Sequence, residues 1–174
     1  MIGKILISKV KGYRENSDIL VFPSYYLFNQ FVILILPGKW EFENFEAWAP
    51  KTSWAANPEK YTIIEEYEGW EGRWKYAQQA GGYYASRLAV LEYLNRMKVQ
   101  GRVVVFREVY EGFYLPVGVW QVRENVRHAL SHRPKKFASM AEALDEVKKY
   151  IRLPLKEYER RSRILGQSGL KEFF

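Results

Sequence analysis

The hydrophobic pattern of the chain changes at residues 73–98, RWKYAQQAGGYYASRLAVLEYLNRMK. Four large side chains recur there at helical spacing: Tyr84, Leu88, Leu91 and Leu94. This spacing predicts a helix over Arg73 to Lys98. A glycine pair inside a helix costs about 1 kcal/mol per residue relative to alanine. Gly81 and Gly82 therefore indicate a kink, a helix start at Gly82, or the close approach of another backbone.

Upstream of this stretch the pattern is typical of β-strands. Four segments are rich in β-branched and aromatic residues and are bounded by turn formers: KILISKV (4–10), DILVF (18–22), FVILIL (31–36) and YTIIEEY (61–67). The run from Pro37 to Pro58 carries three tryptophans without a clear period. We interpret it as a loop-rich layer with one strand around Phe45 to Trp48.

Downstream, RVVVFREVY (102–110) predicts a largely buried strand, and GVWQVRENVRHAL (118–130) predicts an amphipathic helix. SMAEALDEVKKYI (139–151) opens with Ser139 and Glu142, the spacing of a capping box, and predicts a third helix. Pro154 fits the first turn of a last helical piece that runs to about Ile164.

The order of these elements, strands first and helices mostly after, predicts an α+β fold: a mixed β-sheet packed with three to four helices and followed by a flexible C-terminal tail. We divide the chain into an α+β domain (1–153), a basic helical tether (154–166) and a C-terminal motif (167–174).

Composition excludes several classes. The 174 residues include no cysteine and only two histidines, so the chain cannot build a disulfide framework or a common zinc finger. No apolar run approaches the roughly 20 residues of a membrane span, which predicts a soluble, cytoplasmic protein. A net charge of +7 favours contact with nucleic acid or another acidic surface.

Catalytic signatures are scarce, and no phosphate-binding loop, nucleophile elbow or paired-histidine metal motif is present. The acidic run EEYEGWEG (65–72) has carboxylates that could hold a divalent metal, although such a run is more often a solvated strand end. His128 lacks a carboxylate at a suitable spacing for a general base. The sequence therefore identifies no catalytic residue, metal ligand or cofactor, and it leaves open whether the chain is an enzyme.

Two groups of residues are candidate contacts for a partner. The first is a cationic strip that could contact phosphates: Arg123, Arg127, Arg133, Lys135 and Lys136. The alternative interpretation is that these residues are simply the solvated face of a helix and its following loop. The second is a pocket around the glycine pair, lined by Tyr83, Tyr84 and Arg87. The alternative interpretation is that these aromatic residues belong to the hydrophobic core.

The last eight residues, QSGLKEFF (167–174), place a glutamine, an aliphatic residue and two aromatic residues at fixed offsets. One tight helical turn brings Leu170, Phe173 and Phe174 to one side as an apolar plug, while Gln167 can hydrogen-bond at its rim. The alternative is that these rings dock on the protein's own core. The pattern QxxLxxFF resembles the sliding-clamp binding box, or PCNA-interacting peptide, of replication and repair proteins.

The body of the chain carries a second resemblance. KYAQQAGGYYASRLAVLEYL, VVVFREV and LPVGVWQVRENVRHAL are similar to the C-terminal domain of the archaeal Nre family of DNA repair proteins, over a stretch from about Phe31 to Phe174. Full members are longer and have an N-terminal domain, often with a cysteine zinc motif, which we expect to be missing here.

The resemblance implies a DNA repair accessory protein, located in the cytoplasm at the nucleoid, whose partner is the sliding clamp. Non-specific DNA and other repair proteins are further expected partners. The family's biochemical activity is undefined, so the resemblance supplies no catalytic residues. The alternative is a metal-dependent enzyme that acts on DNA or nucleotides and is recruited by the clamp.

Overall fold

The computed structural model describes residues 2–52, 55–114 and 117–166. Within these ranges the chain forms eight strands: β1 (Arg14–Glu15), β2 (Ile19–Tyr26), β3 (Asn29–Leu36), β4 (Glu41–Trp48), β5 (Thr62–Glu68), β6 (Val99–Gln100), β7 (Arg102–Val109) and β8 (Lys135–Phe137). It also forms five helices: α1 (Ile2–Lys11), α2 (Gly81–Met97), α3 (Trp120–Ser131), α4 (Met140–Lys148) and α5 (Lys156–Glu159). A further helical turn occupies residues 163–166. The predicted α+β class is confirmed.

Six of the strands form one mixed sheet in the order β5-β4-β7-β3-β2-β8. β4 and β7 run parallel, and the other neighbours are antiparallel. β1 and β6 form a separate parallel pair. The central strands β3 and β7 are buried along almost their whole length. This explains why their sequences are continuous apolar runs rather than alternating patterns.

Helices cover both faces of the sheet. On one face, α1, α2 and α3 contribute to a core that contains Phe22, Ile33, Leu91 and Val105. On the other face, α4 and α5 pack over Phe45 and Phe106. Each face of the sheet therefore has its own apolar core, and the strands separate the two.

The segment predicted to be a basic helical tether, 154–166, packs on the second face. The Tyr158 ring meets Phe45 and Phe106 edge-on, with centroid distances of 5.2 and 5.1 Å. Ile164 and Leu165 are buried beside it. The predicted flexible tail and clamp motif, 167–174, lie outside the described residues.

The strand predicted for KILISKV was wrong, because this segment lies within α1. The isoleucines and valine suggested β-structure, but the burial has a helical period. Leu6, Ile7 and Val10 face the core, whereas Ile2 and Ile5 are exposed. Tertiary packing of one helical face has overridden the β-propensity of these residues.

Two boundaries also differ from the prediction. β4 begins at Glu41 and is twice as long as the strand proposed around Phe45, because buried Glu43, Asn44 and Glu46 interrupt its apolar pattern. The long helix begins at Gly81 rather than at Arg73, one residue before the start at Gly82 that the glycine pair offered as an alternative. The remaining predicted strands and helices are confirmed in type.

The predicted capping box of α4 is present. The Ser139 side chain accepts a hydrogen bond from the Glu142 backbone N–H, and the Glu142 carboxylate accepts one from the Ser139 backbone N–H. Among the described residues, none of the helices combines the length and apolar character needed to cross a bilayer.

Candidate nucleic-acid interface

The chain is firmly attached to the sheet just before the C-terminal motif. The buried Glu43 carboxyl accepts hydrogen bonds from the Ser162 hydroxyl and from the Arg163 backbone N–H, the latter at 2.7 Å. The Arg102 guanidinium donates to the Ile164 carbonyl at 3.1 Å. The predicted clamp-binding residues follow directly and lie outside the described residues: Gln167, Leu170, Phe173 and Phe174.

The arginines of the cationic strip lie on α3 and are engaged by acids. Arg127 donates two hydrogen bonds to the Glu92 carboxylate, at 2.7 and 2.6 Å, and one to Glu124. These carboxylates raise the pKa of Arg127. Arg123 pairs with Glu124 at 3.0 Å. Charge on this face of α3 is therefore largely balanced by neighbouring acids.

The lysines of the strip lie on β8. Lys135 pairs with Glu146 at 2.6 Å, and Lys136 pairs with Asp18 at 2.8 Å. Lys135, Lys149 and the Tyr150 hydroxyl together hold the pKa of Glu146 at about 2. Arg133 is exposed in the connection between α3 and β8.

The predicted pocket around the glycine pair is only partly formed by the residues proposed for it. Tyr83 is fully buried in the core, where burial and the Glu68 carboxylate raise the pKa of its hydroxyl. Tyr84 and Arg87 instead line a cleft of about 430 Å³. Arg87 pairs there with Glu68, the last residue of β5.

The cleft is formed largely by a loop after β5 that combines exposed rings with cations. Trp74 is 94% exposed and Tyr76 is 72% exposed, although large aromatic rings are normally buried. Lys4 and Lys75 line the cleft, are exposed, and form no ion pair with any described residue. We call this region the loop cleft and define it by Lys4, Lys11, Glu71, Trp74, Lys75 and Tyr76, of which Glu71 is an exposed acid.

Cations also pack on the third ring of this loop. The Lys11 and Lys39 ammonium groups lie 5.0 and 5.8 Å from the Trp70 ring centroid. Lys11 additionally donates a hydrogen bond to the Trp70 carbonyl. Cation–π contacts of this kind hold a ring and positive charge side by side at the surface. Surfaces that bind single-stranded nucleic acid combine two features: exposed aromatic rings, on which bases stack, and cations, which contact the phosphates. The loop after β5 and its neighbours present both.

The sequence reasoning missed this cluster, although a signal for it existed. Residues 69–76, GWEGRWKY, alternate aromatic and charged residues immediately after the acidic strand end. The carboxylates of this region were the only groups assigned a possible role from the sequence, as ligands of a divalent metal. In the structure Glu66 pairs with Arg73 at 2.5 Å and Glu68 pairs with Arg87. Within the described ranges, no three acidic or histidine side chains converge as a metal site would need.

The glycine pair lies at the start of α2 and against two side chains, rather than against another backbone. A Cβ added to Gly82 would lie 2.5 Å from Glu46 Oε1, and one added to Gly81 would lie 2.8 Å from Val119. The preceding Ala80 has φ of 47°, a conformation that L residues rarely adopt. Glu46 is itself held by the buried Arg107 at 2.8 Å. Gly81 and Gly82 thus let α2 begin directly against a buried ion pair.

His128 has polar neighbours, but none of the described carboxylates pairs with its ring. Its Nδ1 lies 3.4 Å from Ser24 Oγ, and its ring meets His132 edge-on at 4.5 Å. This environment does not supply the carboxylate partner that would orient a general base.

Comparisons with known proteins identify the family. A family model described as archaeal Nre, C-terminal, matches residues 68–173, and one described as archaeal Nre, N-terminal, matches residues 1–55. The similarity thus extends upstream of Phe31, where we expected it to begin. The expectation that the whole N-terminal domain is missing was therefore too broad.

Curated relatives match almost the whole chain. It is 34% identical to DNA repair protein NreA of Haloferax volcanii over 92% of this chain and 39% of the relative. It is 35% identical to DNA repair protein NreB of Archaeoglobus fulgidus over 94% of this chain and 42% of the relative. Identity to NreA of that organism is 33%, over 100% of this chain and 43% of the relative.

The chain therefore spans about two fifths of the length of these curated relatives. No solved structure matches it. Because the C-terminal family model alone covers more than half of the residues, the chain belongs to the archaeal Nre family.

Proposed function

We propose that this chain is a DNA repair accessory module that binds the replication sliding clamp through its C-terminal QxxLxxFF motif. The observation that carries the proposal is the sequence QSGLKEFF at 167–174. The names of the relatives, which are DNA repair proteins, support the repair role.

The physical basis of the contact is burial of three apolar side chains. Burying Leu170, Phe173 and Phe174 stabilises a complex by about 1.5–3 kcal/mol each, less the cost of ordering the segment. The balance corresponds to a dissociation constant on the order of micromolar for one motif. The anchored segment at Ser162 to Leu165 supports this arrangement, since it fixes where the motif leaves the sheet.

Calorimetric titration of an archaeal sliding clamp into the chain tests the proposal. Phe173→Ala with Phe174→Ala should weaken binding at least tenfold, because two of the three plug residues are lost. Lys171→Ala with Glu172→Ala is the matched control, since both residues lie between the motif positions and should leave affinity nearly unchanged. Equal binding by wild type and the phenylalanine variant would remove the clamp-binding claim.

We also propose that the module contacts DNA weakly and without sequence preference. Two surfaces are candidates: the cationic strip predicted from the sequence and the loop cleft. The loop cleft is favoured because Lys4 and Lys75 are both unpaired among the described residues, whereas four of the five strip cations have acidic partners: Arg123, Arg127, Lys135 and Lys136. Arg133 is the strip residue without an ion pair to a described residue. Phosphate contacts release counterions, so affinity should fall steeply with salt.

Charge reversal separates the two surfaces. Lys4→Glu with Lys75→Glu should abolish binding of a labelled single strand at low salt, while Arg123→Glu with Lys136→Glu should weaken it much less. The opposite ranking would assign the contact to the strip. Sequence preference that survives at high salt would show that the chain reads bases, contrary to the proposal.

A further inference from the structure

A second cleft lies between the end of β2 and α3. Its volume is about 340 Å³, within the range of small-molecule sites. Tyr25, Tyr26 and Trp120 line it and are exposed to 56%, 55% and 51%. Three half-exposed rings around one cavity offer flat surfaces on which a planar ligand can stack.

Two buried amides, Gln121 and Asn125, also line this cleft. Gln121 is 1% exposed, and neither its Nε2 nor its Oε1 has a hydrogen-bond partner among the described residues. Asn125 is 3% exposed; its Oδ1 accepts a hydrogen bond from Ser24 Oγ at 2.6 Å, while its Nδ2 has no such partner. Buried polar side chains in native proteins are nearly always hydrogen-bonded. The cleft therefore has spare donors and a spare acceptor beneath its aromatic walls.

The charges of the cleft limit what can enter it. Neither a lysine nor an arginine lines it, and the exposed Glu124 carboxylate does. Glu124 is paired with Arg123 and Arg127, and among the described residues His128 is the one lining side chain that can carry a positive charge. The lining therefore offers a phosphate no lysine or arginine. A purely aliphatic ligand would leave the Gln121 and Asn125 amides unsatisfied, which is costly.

We propose that this cleft binds a single unstacked nucleobase. The base stacks against Trp120 and the tyrosines, and its hydrogen-bonding edge meets the Gln121 and Asn125 amides once the Gln121 amide turns toward the cleft. Asparagine and glutamine amides pair with base edges in this bidentate manner. The combination of stacking walls and edge-reading polar groups is the one used by sites that hold an extruded base.

A nucleobase could reach the cleft either as an unpaired base in DNA or as part of a free nucleotide. The following experiment distinguishes the two. Fluorescence anisotropy is measured on a labelled duplex with one base opposite an abasic site and on the same duplex fully paired. Adenosine monophosphate is the competitor in a third arm. The full chain is used without the clamp, so failure of the clamp proposal does not affect the result.

The variants are Trp120→Ala, which removes a stacking wall, and Gln121→Met, which keeps the length of the side chain and removes its amide. Tyr114→Ala is the matched control, because Tyr114 is 74% exposed and does not line the cleft. Thermal unfolding of each variant confirms that it is folded before its binding is compared.

Wild type and Tyr114→Ala should prefer the duplex with the unpaired base by about fivefold or more, the lower end of what one stacked base contributes. Both cleft variants should lose this preference. Competition by adenosine monophosphate without any duplex preference would assign the cleft to free nucleotides. Equal affinity for both duplexes without competition, or a preference that both cleft variants retain, would overturn the proposal.

Discussion

A buried acid on β4 should make the stability of this protein depend on pH in the neutral range. Glu43 is fully buried, and its burial raises the pKa of its carboxyl from 4.5 to about 7. Glu65 lies beside it, with its own pKa raised by burial, and the two carboxyls interact through a hydrogen bond. Because burial disfavours the charged carboxylate and the Glu65 charge adds repulsion, the folded protein holds a proton here that the unfolded chain releases.

The direction of the effect follows from proton binding. Between pH 4.5 and 7 the folded state binds more protons at Glu43 than the unfolded state, so the free energy of unfolding falls as the pH rises. One pKa unit corresponds to about 1.4 kcal/mol. The contribution of Glu43 is therefore fully present below pH 4.5, and about 3 kcal/mol of it is lost by pH 8.

Glu43→Gln removes this dependence while keeping an acceptor for the Arg163 backbone N–H and a polar partner for Ser162. Urea unfolding followed by tryptophan fluorescence at pH 4.5 and pH 8 measures the change. Relative to the variant, wild type should lose about 3 kcal/mol, or about 1.5 M in midpoint at an m-value of about 2 kcal/mol/M. The exposed Glu59→Gln variant is the control and should follow wild type. If wild type and Glu43→Gln gave parallel curves, the raised pKa would be refuted.

Three further substitutions test the packing and polar contacts by the same urea assay. Gly82→Ala should lower the free energy of unfolding by about 2 kcal/mol or more, because the added Cβ would collide with Glu46. Gly3→Ala is the control: its Cβ would make only an ordinary van der Waals contact, so it should raise the free energy of unfolding slightly. Equal effects of the two substitutions would contradict the geometry. Gln121→Met should stabilise by about 1 kcal/mol because it removes an unpaired buried amide, whereas destabilisation would indicate that the amide is satisfied. Glu108→Ala should cost about 3 kcal/mol or more, because the buried carboxylate accepts from two tyrosine hydroxyls and two backbone N–H groups; a loss under 1 kcal/mol would refute this.

Much of the fold follows from the sequence because its strongest patterns are local. FVILIL and RVVVFREV predict buried central strands, and Ser139 with Glu142 predicts the start of α4; all three are confirmed. α1 was not predicted because its β-branched residues are favourable in strands. The helix is stabilised by packing of one of its faces against the core, which the local sequence does not show.

The sites were harder to predict because they depend on residues distant in sequence. Glu124 lies beside Arg123 and Arg127 on α3 and is visible in the sequence. The other acidic partners of the cationic strip come from α2, α4 and the segment before β2, so their neutralising effect is visible only in three dimensions. The loop cleft combines α1 with the segment after β5, and the second cleft, which we propose binds a base, combines β2 with α3. No local spacing rule relates Tyr25 to Gln121, which are brought together by the packing of α3 on the sheet.

The position of Arg163 connects the proposed clamp motif with the proposed DNA surface. Its guanidinium lies 4.9 Å from the Tyr67 ring centroid, and it lines a cavity with Trp70 and Trp74 that adjoins the loop cleft. The chain therefore leaves the sheet toward residues 167–174 beside the exposed rings. A clamp bound to the motif would hold the loop cleft close to the DNA that the clamp encircles, so a weak contact with DNA would suffice. High salt should remove the DNA contact of the loop cleft and spare the apolar clamp contact.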